Sequence, residues 1–227
     1  MTDCVDYWKE PEFRPEDIKE PVFAESEFRV MFPDYRAPYL KQIWPKLTDF
    51  LRSKALDCVL DLVAKTMIVK TTPALKDPVA IVNARDLLRL LARSVPFHTA
   101  KNVFDDEVHC DIIKLSSFVS NNDKLARRRQ RLIGPDASTL KAIELLTQCQ
   151  LFIAGQTACV VGPWKGLKKC NKLITDCMKN IHPVYSLKQL MVERALAQNP
   201  AMANKDWTPY LPKYKRTLQK RRKVVKK

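Results

Sequence analysis

What most restricts the fold of this chain is an order of elements that occurs twice. In the first half, Phe28, Val30 and Phe32 alternate with Glu27, Arg29 and Met31, the period-two pattern of a strand. A helical pattern follows over 38–54, opening at Pro38 and carrying Leu40, Ile43, Leu47, Phe50 and Leu51, with Pro45 as the place where it can kink or divide. Leu56, Cys58 and Leu60 alternate with Asp57, Val59 and Asp61 as a second strand, and the β-branched run Thr66–Thr71 reads as a third. Asp77-Pro78, a cap residue followed by proline at the first helical position, predicts a helix reaching Ser94.

The second half repeats this order with one helix more. Ile112, Ile113, Leu115 and Val119 mark a strand region, and 124–133 is a basic helix. Leu140, Ile143 and Leu146 begin another helix, and Gln150–Ala154 and Thr157–Val161 are two strands joined near Gly155. From Pro163 a helix carries one apolar stripe, Trp164, Leu167, Cys170, Ile174, Cys177 and Ile181, with Trp164 expected in the core. Lys165, Lys168, Lys169, Lys172 and Lys179 mostly fill its other faces. Two units of about 70 residues in one shared order argue for an internal duplication. After His182-Pro183 a further helix is expected, with Ser186 and Gln189 as a capping box and Asn199-Pro200 as its end.

Charge narrows the range of partners. The chain of 227 residues carries a net +15, which points to a polyanion. That charge is uneven: residues 1–30 hold nine acids and four bases, whereas 205–227 hold ten bases and one acid. The head, rich in proline and acids, reads as an extended arm, either a disordered leader or a segment lying along another protein. The tail, ending in RRKVVKK, reads as a nuclear address, an RNA-binding arm or a solvated end. Seven cysteines at irregular spacing, without a CxxC pair, and three histidines without ligand spacing point to reduced thiols and to no metal site. No window is apolar enough to span a bilayer, so no membrane partner is expected. No nucleophile–base pair, paired carboxylates or P-loop stands out; GPWKGLK lacks the spacing of one. No enzymatic activity, cofactor or small-molecule substrate is expected.

The chemistry concentrates between Lys124 and Leu146, KLARRRQRLIGPDASTLKAIELL. A run of arginines leads into a tight turn and then into the start of a second helix, an arrangement suited to a phosphate backbone. All four glycines of the chain lie between 134 and 166. LIGPDASTL approaches the Ile-Gly-x-x-Gly signature of KH domains, whose GXXG loop between two helices clamps a single-stranded backbone. Here the loop is Gly134-Pro135-Asp136-Ala137, so the second glycine is replaced. If that position needs a positive φ, alanine costs about 1–2 kcal/mol. Asp136 places a negative charge where a phosphate would pass, unless it caps the following helix. The candidate RNA-binding set is Arg127, Arg128, Arg129, Arg131, Ile133, Gly134, Pro135, Asp136, Ala137, Ser138, Thr139 and Lys141. For the arginines the alternative is a solvated helix face; their forked guanidinium favours phosphate. The first unit has no glycine, and Pro33–Pro38 and Trp44-Pro45 occupy the corresponding stretch, which points to protein contacts there instead.

The words FPDYRAPYLKQIWP, ARDLLRLLARSVPF, RRRQRLIGPDASTLKAIELLTQCQLFIAGQTACVVGPWKGLKKC and CMKNIHPVYSLKQLMVERALAQNPAMANKDWTPYLPKYK resemble the Krr family of KH-domain ribosome-assembly factors, components of the nucleolar small-subunit processome. The resemblance implies an α+β fold of two tandem type I KH domains, each a three-stranded antiparallel sheet packed on helices, followed by a C-terminal helix and a basic tail. Together with the composition and patterns above, this divides the chain into an acidic arm over 1–25, a degenerate first KH domain over 26–95, a linker over 96–107, a second KH domain over 108–182, a helix over 183–199 and a tail over 200–227. The resemblance further implies pre-rRNA (single-stranded or irregular segments), other assembly factors and ribosomal proteins as partners, a nuclear and nucleolar location, and no catalysis. The open alternative is a protein-interaction scaffold in which neither domain clamps RNA.

Overall fold

Period-two alternation and β-branching form the strands where the pattern puts them, and the helices close over one face of each sheet. The structure is a computed structural model and describes residues 25–199, 202 and 205–212. Most of the acidic arm and of the basic tail, RRKVVKK included, lies outside the described residues. Two units divide between Cys110 and Asp111.

The first unit runs β1 (Glu27–Met31), a 3-10 turn (Asp34–Arg36), α1 (Ala37–Ser53), β2 (Leu56–Asp61), β3 (Thr66–Thr71), α2 (Ala80–Ala92), α3 (Phe97–Ala100) and a second 3-10 turn (Lys101–Phe104). Its sheet is antiparallel in the order β1-β3-β2, with Val30 opposite Met67 and Cys58 opposite Val69. Three features depart from the expected pattern. Pro45 does not divide the helix: α1 is continuous through it, because Leu40, Leu47 and Leu51 on either side are all buried on one face while Pro45 points to solvent. The helix after Asp77-Pro78 starts later, at Ala80, because the Asp77 side chain accepts the Val79 N–H at 2.9 Å and holds a turn there. Finally, 96–107 is folded rather than a bare linker. Thr99, Ala100 and Val103 are buried, and the Phe97 and Phe104 rings stand edge-on to Phe50 at 6.1 and 5.2 Å.

The second unit runs β4 (His109–Lys114), a 3-10 turn (Leu115–Ser117), α4 (Asn122–Ile133), a 3-10 turn (Pro135–Ala137), α5 (Ser138–Thr147), β5 (Gln150–Ala154), β6 (Thr157–Gly162), α6 (Trp164–Met178) and α7 (Pro183–Gln198). Its three-stranded antiparallel sheet has the order β4-β6-β5, the same central position for the last strand as in the first unit. Leu115, Leu132, Ile143, Leu151, Val160 and Ile174 are among the residues of its core. The strand expected over 112–119 ends at Lys114; Leu115 and Val119 reach the core from a turn instead, with the Leu115 N–H donating to the Gln156 carbonyl at 2.8 Å. The basic helix begins at Asn122 because the Asn121 side chain accepts from the N–H groups of Asp123 and Lys124.

Two expectations in the C-terminal half are corrected. Ser186 is not a cap: α7 starts at Pro183, whose preset φ suits the first helical position, and His182 Nδ1 accepts the Val184 N–H at 3.3 Å. Trp164 is not in the core but 53% exposed, since Gly166 draws the start of α6 against the Thr147 carbonyl and leaves Leu167 to face inward. A Cβ on Gly166 would stand 2.2 Å from that carbonyl oxygen, and one on Gly162 would stand 2.7 Å from Cys149 Sγ. Two of the four glycines therefore serve close approach, not turning.

Candidate nucleic-acid interface

Leu125 and Leu132 sit seven residues apart on α4 and anchor it to the core. That face decides where the intervening cations go. Arg128 and Arg129 fall half-buried beside it, while Lys124, Arg127 and Arg131 lie exposed. Three of the four arginines are then held by the protein itself. Arg128 Nη1 donates to the Met178 carbonyl and Arg131 Nη1 to Asn180 Oδ1 at 2.9 Å, so both secure the C-terminal end of α6. Arg129 Nη1 donates to the Gly155 carbonyl at 2.7 Å and ties α4 to the β5–β6 turn. Arg127 has no partner among the described residues. Helix C-termini leave carbonyls unsatisfied and partly negative, which suits a guanidinium. Nearby, burial pushes the Cys177 thiol up to about 11 against the opposing pull of Arg131 and Arg128, and the thiol donates to the Arg128 carbonyl at 3.6 Å. It is a buried neutral group, not a ligand.

The loop after α4 is a left-handed turn. Gly134 ends the helix at φ 75°, its N–H donating to the Gln130 carbonyl at 2.8 Å, and a Cβ there would meet Thr139 Oγ1 at 2.3 Å. Asp136 at φ 50° and Ala137 at φ 57° follow in the left-handed region. The replaced glycine thus stands where a positive φ is required, and alanine is strained there by about 1–2 kcal/mol. Asp136 does not cap α5: that helix begins at Ser138 without any side-chain cap. The Ser138 N–H donates to the Pro135 carbonyl across a 3-10 turn (Pro135–Ala137), and the N–H groups that follow it in the first turn of α5 meet no capping side chain, which is where an anion can be accepted. Pro135, Asp136, Ser138 and Lys141 are exposed around this end, while Ile133, Ala137 and Thr139 are half-buried and Gly134 is buried as the hinge. The candidate set therefore divides by what its side chains hold: Arg128, Arg129 and Arg131 brace the fold, whereas Arg127 and Lys141 are exposed, as are Pro135, Asp136 and Ser138 in and after the turn.

No corresponding turn exists in the first unit. Its 3-10 turn at Asp34–Arg36 leads straight into α1, and the exposed Lys65 and Asp34 side chains meet at 2.7 Å. Arg36 repeats the role of Arg128: Nε and Nη2 donate to the carbonyls of Leu91 and Val95 at the end of α2, at 3.0 and 3.3 Å, over the Tyr39 ring. The sequence pattern disclosed none of these pairings, though an arginine near the first helix of both units was the available signal. Among the described residues no three His, Cys, Asp or Glu side chains gather as a metal site, and no helix is long and apolar enough to cross a membrane.

Known proteins share this architecture. A structure described as an a/eIF2alpha–aDim2p–rRNA complex from Pyrococcus horikoshii is 19% identical, covers 77% of this chain and 97% of its own, and superposes with a TM-score of 0.68. Dim2p from the same organism is 20% identical over 74% of this chain and 99% of its own, with a TM-score of 0.64. A protein of unknown function from Aeropyrum pernix is 14% identical over 81% of this chain and all of its own, at 0.69. At this identity the likeness speaks for the fold. The sequence comparison is sharper: residues 26–106 match the family described as Krr1 KH1 domain, and residues 108–198 match KRR1 small subunit processome component, second KH domain. With both domains matched in order across both units, the chain belongs to the KRR1 family of KH-domain small subunit processome components.

Proposed function

We propose that the protein is a non-catalytic RNA-binding assembly factor of the small ribosomal subunit, acting on pre-rRNA in the nucleolus, in the 90S pre-ribosome. In this reading the second KH domain holds a single-stranded or irregular segment of pre-rRNA, and the first KH domain contacts assembly factors or ribosomal proteins. The observation that carries it is the start of α5 without a capping side chain, directly after two left-handed residues, with the unpartnered Arg127 on the preceding helix. Small or left-handed residues bring a phosphate to the main chain, the free N–H groups donate to it, and the cations hold its neighbours. The rRNA named in one structural relative supports the choice of polyanion. For the first domain, the missing turn and the exposed Met31, Val59 and Val63 on and beside its sheet support a protein partner.

The test is Arg127→Ala with Lys141→Ala, measured by fluorescence anisotropy on a single-stranded RNA over a salt series. These two side chains hold nothing else in the fold, so stability should stay as in the parent. Affinity should fall, and the slope of log K against log salt should drop by about 0.7 for each lost phosphate contact. An unchanged affinity and slope would reject the clamp and favour the scaffold alternative.

A further inference from the structure

The four lysines at the start of α6 stand where helix energetics disfavour them. Lys165, Lys168, Lys169 and Lys172 follow the i, i+3, i+4, i+7 spacing, so they share one exposed face over about 10 Å. Lys165 lies in the first turn, where the helix dipole is positive and no acid offsets it. Each is three or four residues from another like charge. One is neutralised: Lys169 Nζ meets Glu193 Oε2 at 2.6 Å. Beside the stripe lies Trp164, 53% exposed, with Lys168 Nζ 4.8 Å from its ring centroid. Lys172 and Lys188 also line one open cleft of about 400 Å³, in which Asp176 is the one acid, together with Tyr185 and Ser186. An unfavourable charge pattern and an exposed large aromatic coincide on one helix, next to an open cleft with two lysines in its lining, and stability does not explain the pattern.

We infer that this face of α6 is a second RNA-binding surface, separate from the α4–α5 turn, which grips phosphates through Lys165, Lys168 and Lys172 and stacks a base on Trp164. Lysines are compact point charges that track a backbone without reading sequence, and an exposed indole accepts any base. The stripe adds to the little free charge on α4, where three of the four arginines are tied to carbonyls or an amide and Arg127 alone is not. The inference rests on the reading of the chain as an RNA binder and adds to it a second point of contact, which would raise affinity by effective concentration.

The experiment uses the full chain, oligouridine and an oligoglutamate peptide as probes, and the triple variant Lys165→Ala, Lys168→Ala, Lys172→Ala. The expected result is a weaker grip on oligouridine, about fiftyfold at 0.15 M salt, with a salt slope lower by about 2, as three lost phosphate contacts require. Trp164→Ala should weaken binding severalfold and leave the slope alone, which a purely structural role would not do. Thermal melts of the triple variant should match or exceed the parent, because like-charge repulsion is removed. Unchanged oligouridine affinity and slope in the triple variant would overturn the inference, whether or not oligoglutamate binding is lost; loss of the peptide alone would assign the face to an acidic protein. The Arg127→Ala, Lys141→Ala variant separates the two readings. If it loses oligouridine while the triple variant does not, the α4–α5 turn stands and the α6 surface falls.

Discussion

At the residue scale, the loop glycine and its replacement make opposite demands. Gly134 is needed twice over, for its φ of 75° and for the 2.3 Å approach of Thr139 Oγ1. Gly134→Ala is expected to lower stability by about 3 kcal/mol, through left-handed strain and overpacking together. Gly155 is also left-handed at φ 56° but faces open space, so Gly155→Ala should cost about 1 kcal/mol. The difference between the two in urea denaturation isolates the crowding contribution. Ala137→Gly runs the other way. It removes strain at φ 57°, offset in part by the greater freedom of glycine in the unfolded chain, for a net gain of about 0.5–1 kcal/mol. The need for a positive φ at 137 was readable in the sequence from the GXXG likeness. The crowding at Gly134, Gly162 and Gly166 was not, because it is set by Thr139, Cys149 and Thr147 in the folded chain.

At the element scale, both units use an arginine to close the helix that follows the sheet. Arg36 donates to two carbonyls at the end of α2, and Arg128 to one at the end of α6. Arg36→Ala and Arg128→Ala should each lower the unfolding free energy by about 1–3 kcal/mol, because a partly buried carbonyl loses a charged donor. Arg127→Ala should leave the urea midpoint unchanged. A fall in RNA affinity on mutating Arg128 therefore reports on the fold, whereas the same fall on mutating Arg127 reports on the interface. Strand and helix positions followed from the sequence, since a period of two or 3.6 is a local property. Starts at Ala80, Asn122 and Pro183 depended on Asp77, Asn121 and His182 side chains, and one of these, histidine at a cap, is not a usual cap residue.

At the scale of the whole molecule, two units with one sheet order differ most between their first two strands. The second has two helices and a left-handed turn between β4 and β5, whereas the first has the single helix α1 between β1 and β2. Each unit has its own buried residues, so a chain cut between Glu107 and Val108 should give two fragments that each unfold cooperatively in circular dichroism. The fragment beginning at Val108 should bind single-stranded RNA with a salt-dependent affinity, and the fragment ending at Glu107 should not. RNA binding by the first fragment alone would assign the clamp to the wrong unit.

The sequence by itself determined the strands, the helices, the repeated order, the altered turn and the family, because each is written in contiguous residues or short periodic spacings. Tertiary structure alone decided which cations remain free. Arg128 meets a carbonyl 50 residues away and Arg129 one 26 residues away, and no local pattern encodes such a partner. The same holds for Trp164, apolar in the stripe yet exposed, because the depth of the core beneath α6 depends on how closely Gly166 lets it approach Thr147. Burial is a property of the assembled layers, and only the folded chain distributes it.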